Sequence, residues 1–163
     1  MKKREIKITI NQFSGREELS PDDRKLLQEA AKSAIKSYAP YSEFHVGAAV
    51  LLENGKIVCG SNQENAAYPA GLCAERVALF YANSEYPGVK VVALAISAHA
   101  DHFVIDKPIS PCGTCRQVIA ETENRQHSKI RILMQGESGP VNMTEGIENL
   151  LPLTFYEEKL KKK

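Results

Sequence analysis

Cys73-Ala74-Glu75-Arg76, Val91-Val92-Ala93-Leu94-Ala95-Ile96 and Pro111-Cys112-Gly113-Thr114-Cys115 follow one another in the chain, and their order decides the fold. Cys73 opens a helix whose apolar surface comes from Val77, Ala78 and Phe80 to Ala82, and Pro87-Gly88 closes it. Val89 to Ser97 is almost continuously apolar, the pattern of a central strand buried on both faces. A loop over 98–110 carries His99 and His102, and Cys112 then opens another helix with Val118 and Ile119 turned inward. Helix, buried strand, helix is the order of an α/β sheet.

Outward from this stretch the pattern continues. Ser20 suits an N-cap and Pro21 a first helical position, and Leu27, Ala30, Ala31, Ala34, Ile35 and Tyr38 recur at helical spacing until Pro40 ends the helix. Phe44 to Leu51 reads as a strand with Phe44, Val46, Ala48 and Val50 on one face. Gly47 and its two alanines keep this strand slim enough for close helix packing. Asn54-Gly55 is a hairpin signal, and Lys56 to Gly60 returns antiparallel. Ser61 to Leu72 is a long polar loop of the kind that carries function. After the second cysteine motif, Lys129 to Met134 is a strand, Val141 to Met143 an edge strand, and Thr144 the cap of a short helix ending at Pro152. Ile6 to Ile10 alternates weakly as a further edge strand, and Lys159 to Lys163 is a solvated basic tail. The expectation is one domain over 1–163, with 1–19 as an extension of unassigned role, built on a mixed five-stranded sheet with helices on both faces.

The cysteines suggest a metal. A C-x-x-C pair at one helix start and a cysteine at another supply three thiolates, and three protein ligands with an open fourth position mark a catalytic zinc site. Glu75, two residues after Cys73, would then act on protons of the water at that position. Three thiolates make a charge-rich site, so two helix N-termini and the Arg76 guanidinium are candidates to drain charge from the sulfurs. Other readings stay open. The C-x-x-C pair also fits a redox dithiol or a purely structural zinc site. Glu75 and Arg76 also fit a solvated first helical turn, and Phe44 an ordinary core position. His99 and His102 offer a fourth ligand that would close the site. Cys59, in mid-strand, reads as a small buried hydrophobe.

Four blocks carry a resemblance: 39–49 (APYSEFHVGAA), 62–68 (NQENAAY), Cys73-Ala74-Glu75-Arg76 and 111–117 (PCGTCRQ). In this order they resemble the small zinc-dependent cytidine deaminases that act on free nucleosides, in the three-cysteine version of the C-x-E … P-C-x-x-C pattern. The resemblance spans about Ser37 to Phe155 and implies the deaminase αβα sandwich. It implies Zn2+ on Cys73, Cys112 and Cys115, Glu75 as the proton carrier and Arg76 as the charge tuner. Phe44 becomes the wall for the base, Asn62 and Glu64 the ribose-binding pair, and Ala74 a source of backbone groups for the pyrimidine edge. Phe155 matches an aromatic that enters a neighbouring subunit's site in a homotetramer with shared active sites. The implied activity is hydrolytic deamination of cytidine and deoxycytidine to uridine and deoxyuridine, with release of ammonia, in pyrimidine salvage. A deaminase of a modified or antibiotic nucleoside, a noncatalytic zinc-binding protein and a polynucleotide editor are the rivals.

Bulk properties fit these expectations. The chain has 163 residues, 43% of them hydrophobic and 25% charged, with a net charge of +1. That balance argues against a nucleic-acid partner, which usually selects a basic face. No apolar run approaches membrane-spanning length. The basic start Met1-Lys2-Lys3-Arg4 lacks the apolar core of a secretory signal, so a cytoplasmic protein with reduced thiols is expected.

Overall fold

The computed structural model describes residues 1–157 and Leu160. Its elements in chain order are β1 (Asn11–Phe13), α1 (Pro21–Ala34), β2 (Phe44–Leu52), β3 (Ile57–Ser61), α2 (Ala74–Glu85), β4 (Val91–Ala100), α3 (Gly113–Gln126), β5 (Arg131–Met134) and β6 (Val141–Glu145). The strands form one sheet in the order β1-β6-β5-β4-β2-β3. Only β4 and β5 run parallel, joined through α3, as a crossover connection requires; the other pairs are antiparallel.

The sheet separates two cores. On one face α2 and α3 bury Ala78, Leu79 and Ile119 against Val50, Leu94, Ile96 and Ile132. On the other α1 buries Leu26, Leu27 and Ala30 against Ala49, Ala93, Ala95 and Leu133. The result is an αβα sandwich, as expected. Two glycines set the helices close to the sheet. A Cβ on Gly47 would stand 2.0 Å from the Ala30 carbonyl oxygen of α1. A Cβ on Gly60 would stand 2.7 Å from the Ala74 carbonyl oxygen of α2. The second contact seats the first turn of α2, and therefore Cys73 and Glu75, directly on β3.

Local signals explain most element ends. Ser20 Oγ accepts from the Asp23 amide at 3.2 Å and Pro21 begins α1. Gly55, with φ of 81°, sits in the left-handed region that the β2–β3 hairpin needs.

The structure corrects several expectations. The sheet has six strands among the described residues, not five. The additional strand is β1, which pairs with β6 from Asn11↔Met143 to Phe13↔Val141. It lies just after the predicted strand over Ile6 to Ile10, whose isoleucines are exposed. Alternation there has the right period but no partner strand, whereas Phe13 finds the α1-side core. Part of 1–19 is thus an edge strand, anchored where Arg16 Nε donates to Gln135 Oε1. Ile35 and Tyr38 are exposed because α1 ends at Ala34 before its apolar face reaches them. Thr144 is buried within β6, opposite Ile132, and caps nothing. A β-branched residue prefers that pleated position, and only a 3-10 turn over Ile147–Asn149 follows. Strand β4 runs on to Ala100, so His99 belongs to the sheet and not to the loop. Cys59 is exposed on edge strand β3, beside the polar Glu29 and Lys32 of α1 and not within the core. Lys159 and Lys161 to Lys163 of the basic tail lie outside the described residues.

Candidate active site

The N-cap positions of α2 and α3 are Cys73 and Cys112. Both residues have extended backbone and neither side chain caps its own helix, so the sulfurs are free to turn toward each other. Cys115, one turn into α3, is fully buried beside them. Cys73 Sγ stands 3.7 Å from Cys112 Sγ, which stands 3.4 Å from Cys115 Sγ. Two sulfurs on one tetrahedral zinc, each about 2.3 Å from the ion, are about 3.8 Å apart. The separations are within a few tenths of an ångström of that spacing, and the cluster fits one zinc ion. Among the described residues the ligand group holds these three and no histidine, which leaves the fourth position open. His99 and His102 do not close it; they sit with His45 and Glu43 instead.

Charge around the sulfurs is arranged for an ion. Arg76 Nη2 donates to the Gly71 carbonyl at 3.2 Å and approaches Cys73 Sγ at 3.9 Å. Hydrogen bonding with Cys115 above all, then with Arg76 and Cys112, overcomes burial and pulls the Cys73 thiol down to about 5. The same pairing pushes Cys115 up. The neighbouring sulfurs thus stabilise a thiolate at Cys73, and a bound metal displaces the remaining thiol protons because only thiolates ligate. Glu75 is 4% exposed. Burial raises its carboxyl, and the Cys73 charge adds to the effect. A carboxyl pushed upward by burial exchanges protons near neutral pH more readily than an exposed one.

These groups face a cleft of about 950 Å³. Cys73, Glu75, Arg76 and Cys112 form one end; Phe44, Asn62 and Glu64 form the other. Phe44 begins β2 and is half-buried. Asn62 Nδ2 donates to the Phe44 carbonyl at 2.9 Å, and its Oδ1 accepts from the Val46 amide at 2.7 Å. Glu64 Oε2 accepts from the Tyr41 amide at 2.9 Å and the Ser42 amide at 3.3 Å, while Oε1 accepts from Ser42 Oγ at 2.5 Å. The Ser42 hydrogen bond lowers the Glu64 carboxyl and keeps it an anion. Ala74 is fully buried and is not among the residues that line the cleft. Phe155 is 71% exposed and lies outside the cleft of its own chain.

Sequence reading missed two structural supports. Arg116 Nε donates to the Pro111 carbonyl at 2.9 Å and Nη1 to the Leu150 carbonyl at 2.7 Å, so it fixes the approach to Cys112. Gln117 Nε2 donates to the Phe155 carbonyl at 2.9 Å. Both stand directly after Cys115, and that adjacency was the available signal. Tyr41 and Tyr68 also meet edge to face at 6.2 Å on the cleft wall.

Residues 20–129 match the family model described as the cytidine and deoxycytidylate deaminase zinc-binding region. The chain belongs to the cytidine deaminase family. It is 42% identical over 140 residues to a cytidine deaminase of Sporosarcina psychrophila, an alignment covering 85% of this chain and 95% of that protein. It is 39% identical over 140 residues to the cytidine deaminase of Halalkalibacterium halodurans, covering 85% and 98%. The 1.6 Å crystal structure of cytidine deaminase from Burkholderia pseudomallei superposes with a TM-score of 0.69 at 38% identity, over 80% of this chain and 97% of that one. Zinc is the metal that the family and the three thiolates agree on. No helix among the described residues is long and apolar enough to cross a membrane.

Proposed function

We propose that the protein is a zinc-dependent hydrolase that converts free cytidine and deoxycytidine to uridine and deoxyuridine with release of ammonia, in pyrimidine salvage in the cytoplasm. The observation that carries this reading is Glu75, buried beside three sulfurs spaced for one zinc and lining a cleft with room for a nucleoside. Bound zinc supplies a Lewis acid that brings the pKa of a water toward about 7. Cys73, Cys112 and Cys115 hold it, and Arg76 withdraws charge from Cys73 Sγ. The Glu75 carboxylate takes a proton from the attacking water and delivers it to N3 of the base. It then takes the proton of the new C4 hydroxyl and passes it to the amino group, which leaves as ammonia while C4 becomes a carbonyl and N3 keeps its proton. Phe44 walls the base, and Ala74 offers backbone groups to its polar edge. At the sugar hydroxyls the Asn62 side-chain amide donates and the Glu64 carboxylate accepts. The Glu64 anion repels a 5′-phosphate, which favours nucleosides over nucleotides. Phe155 would lid a neighbouring subunit's cleft in a homotetramer, since its exposure leaves it without a place in its own core.

Ultraviolet loss of cytidine, with ammonia measured in parallel, tests the activity. Turnover of cytidine and deoxycytidine with zinc at one per chain supports the proposal. A zinc-loaded protein that leaves both substrates intact overturns it.

A further inference from the structure

We propose that His45, His99 and Asp101 form a second site for a divalent transition-metal ion, on the opposite face of the sheet from the three thiolates. The argument begins with strand register. His45 of β2 and His99 of β4 are direct partners across an antiparallel ladder. Directly opposed residues project from the same face, and the residue two positions further on follows on that face. Asp101 is that residue. The two imidazoles stack with centroids 4.8 Å apart and planes 13° from parallel. His45 Nε2 stands 3.3 Å from Asp101 Oδ1. One ligand atom from each of the three side chains lies within 4.8 Å of the others.

The surroundings orient these groups. Ser37, in the turn after α1, places Oγ 2.6 Å from His45 Nδ1. A partner on the far ring nitrogen is what holds a ligating imidazole in orientation and tautomer. A hydroxyl both donates and accepts, so Ser37 serves His45 whether Nδ1 or Nε2 carries the ring proton. An ion would take the place of the proton between His45 Nε2 and Asp101, with Nδ1–H donating to Ser37 Oγ. The Asp101 amide donates to the Glu43 carbonyl at 3.2 Å, and Glu43 holds φ of 53° in the left-handed region. His102 Nε2 pairs with the Glu43 carboxylate. Three of the chain's four histidines therefore gather at one end of one ladder.

Two imidazoles and a carboxylate suit zinc, nickel, copper or cobalt rather than magnesium or calcium. Two nitrogens on one such ion stand about 3.0–3.4 Å apart. The 4.8 Å spread closes by side-chain rotation of half-buried His99 and exposed Asp101 toward His45, which Ser37 holds in place. Phe44 and Val46 look into the cleft while His45 looks away from it, so the ion would not touch a nucleoside. Its effect would be mechanical: it clips the start of β2 to the end of β4, at the root of the segment that leads to Cys112.

The test uses zinc-loaded protein without a polyhistidine tag, titrated with Ni2+ by calorimetry while thiolate-bound zinc is followed by metal analysis. The expected result is one Ni2+ per chain, zinc retained, and a higher Tm. His99→Ala and Asp101→Ala should each weaken Ni2+ binding at least about tenfold, the scale on which even an outer-shell loss is felt. They should also cancel the Tm gain and leave cytidine turnover unchanged. Both residues are outside the core, and His45→Gln gives a third variant whose fold is checked by its metal-free Tm. Three outcomes overturn the proposal: no Ni2+ taken up, Ni2+ bound with equal affinity by His99→Ala, or Ni2+ bound only as zinc is released.

Discussion

The two ends of the cleft are built in different ways. At the thiolate end, rigid elements present the groups: helix starts carry Cys73 and Cys112, Cys115 and Glu75 are buried, and Gly60 lets α2 sit on the sheet. At the other end, which the proposed function assigns to the sugar, loops do so. Asn62 and Glu64 follow β3 and are held by hydrogen bonds to residues 41–46. The difference teaches where substitutions should register. Groups fixed by packing act without reorganising, and they set turnover. Groups whose acceptors already serve the backbone must share them with a substrate, and they set binding.

The sharpest way to break this division is Glu75→Gln. The amide keeps the shape and the burial but carries no proton between atoms. Turnover should fall by about 10²–10⁴-fold or more, with zinc and Tm retained. Steady-state kinetics with metal analysis checks it, and turnover within about tenfold of the parent would remove Glu75 from the mechanism.

At the other end, Glu64→Ala removes an anion that organises Tyr41 and Ser42 as well as facing the cleft. A hydrogen bond to a charged group contributes enough for a loss of about tenfold or more in kcat/KM, expected mainly in KM. The same variant should narrow the gap between cytidine and its monophosphate, because the repelling charge is gone. Parallel kcat/KM values for the two substrates check it; a parent enzyme that prefers the monophosphate would contradict the charge argument.

Arg76→Ala tests whether the helix ends alone tune the thiolates. The guanidinium approaches Cys73 Sγ at 3.9 Å, and its buried Nε has no partner of its own. Without the cation the sulfurs are more electron-rich, the attacking water is less acidic, and the acid limb of the pH–rate profile should move upward. Turnover at neutral pH should drop several-fold, less than for Glu75→Gln. Arg76→Lys keeps the charge and should recover part of the shift, which a purely structural role for the side chain does not predict. An unchanged profile in Arg76→Ala would assign the tuning to the helix N-termini.

The same contrast explains what was legible in the sequence. The thiolate end is written in short motifs at helix starts, and Cys73, Glu75, Cys112 and Cys115 converge as their spacing implies. The buried run over Val91 to Ile96 located the centre of the sheet for the same local reason. Edges were harder. A strand such as Asn11–Phe13 is short and polar, and it exists because β6 offers an unpaired edge, which no local pattern records. Thr144 illustrates the converse: a good capping residue by type, it is claimed by the ladder with Ile132. At the other end, the place of Asn62 and Glu64 in the cleft wall was suggested only by the family resemblance, since polar residues in a loop look alike until their partners are seen.

The smallest expected effect, and the one that joins the cleft to assembly, concerns Phe155. The segment that carries it is tied to the outside of α3. Arg116 holds the Leu150 carbonyl and Gln117 holds the Phe155 carbonyl, both within two residues of Cys115. The backbone is thus positioned by the helix that bears the thiolates, while the ring itself is left 71% exposed. Burying such a ring is worth about 1.5–3 kcal/mol, so an exposed position against solvent favours a partner surface. In the homotetramer proposed above, a neighbouring subunit's cleft would be a surface of that kind. Phe155→Ala should therefore raise KM for cytidine several-fold and weaken the oligomer, with zinc content and the fold unchanged. Light scattering and kinetics on one preparation read both halves. Gln117→Ala provides a milder variant that loosens the segment and keeps the ring; it should move KM in the same direction by less. A parent protein that is monomeric at full activity would show that each cleft works alone, and would leave the thiolate chemistry as it stands.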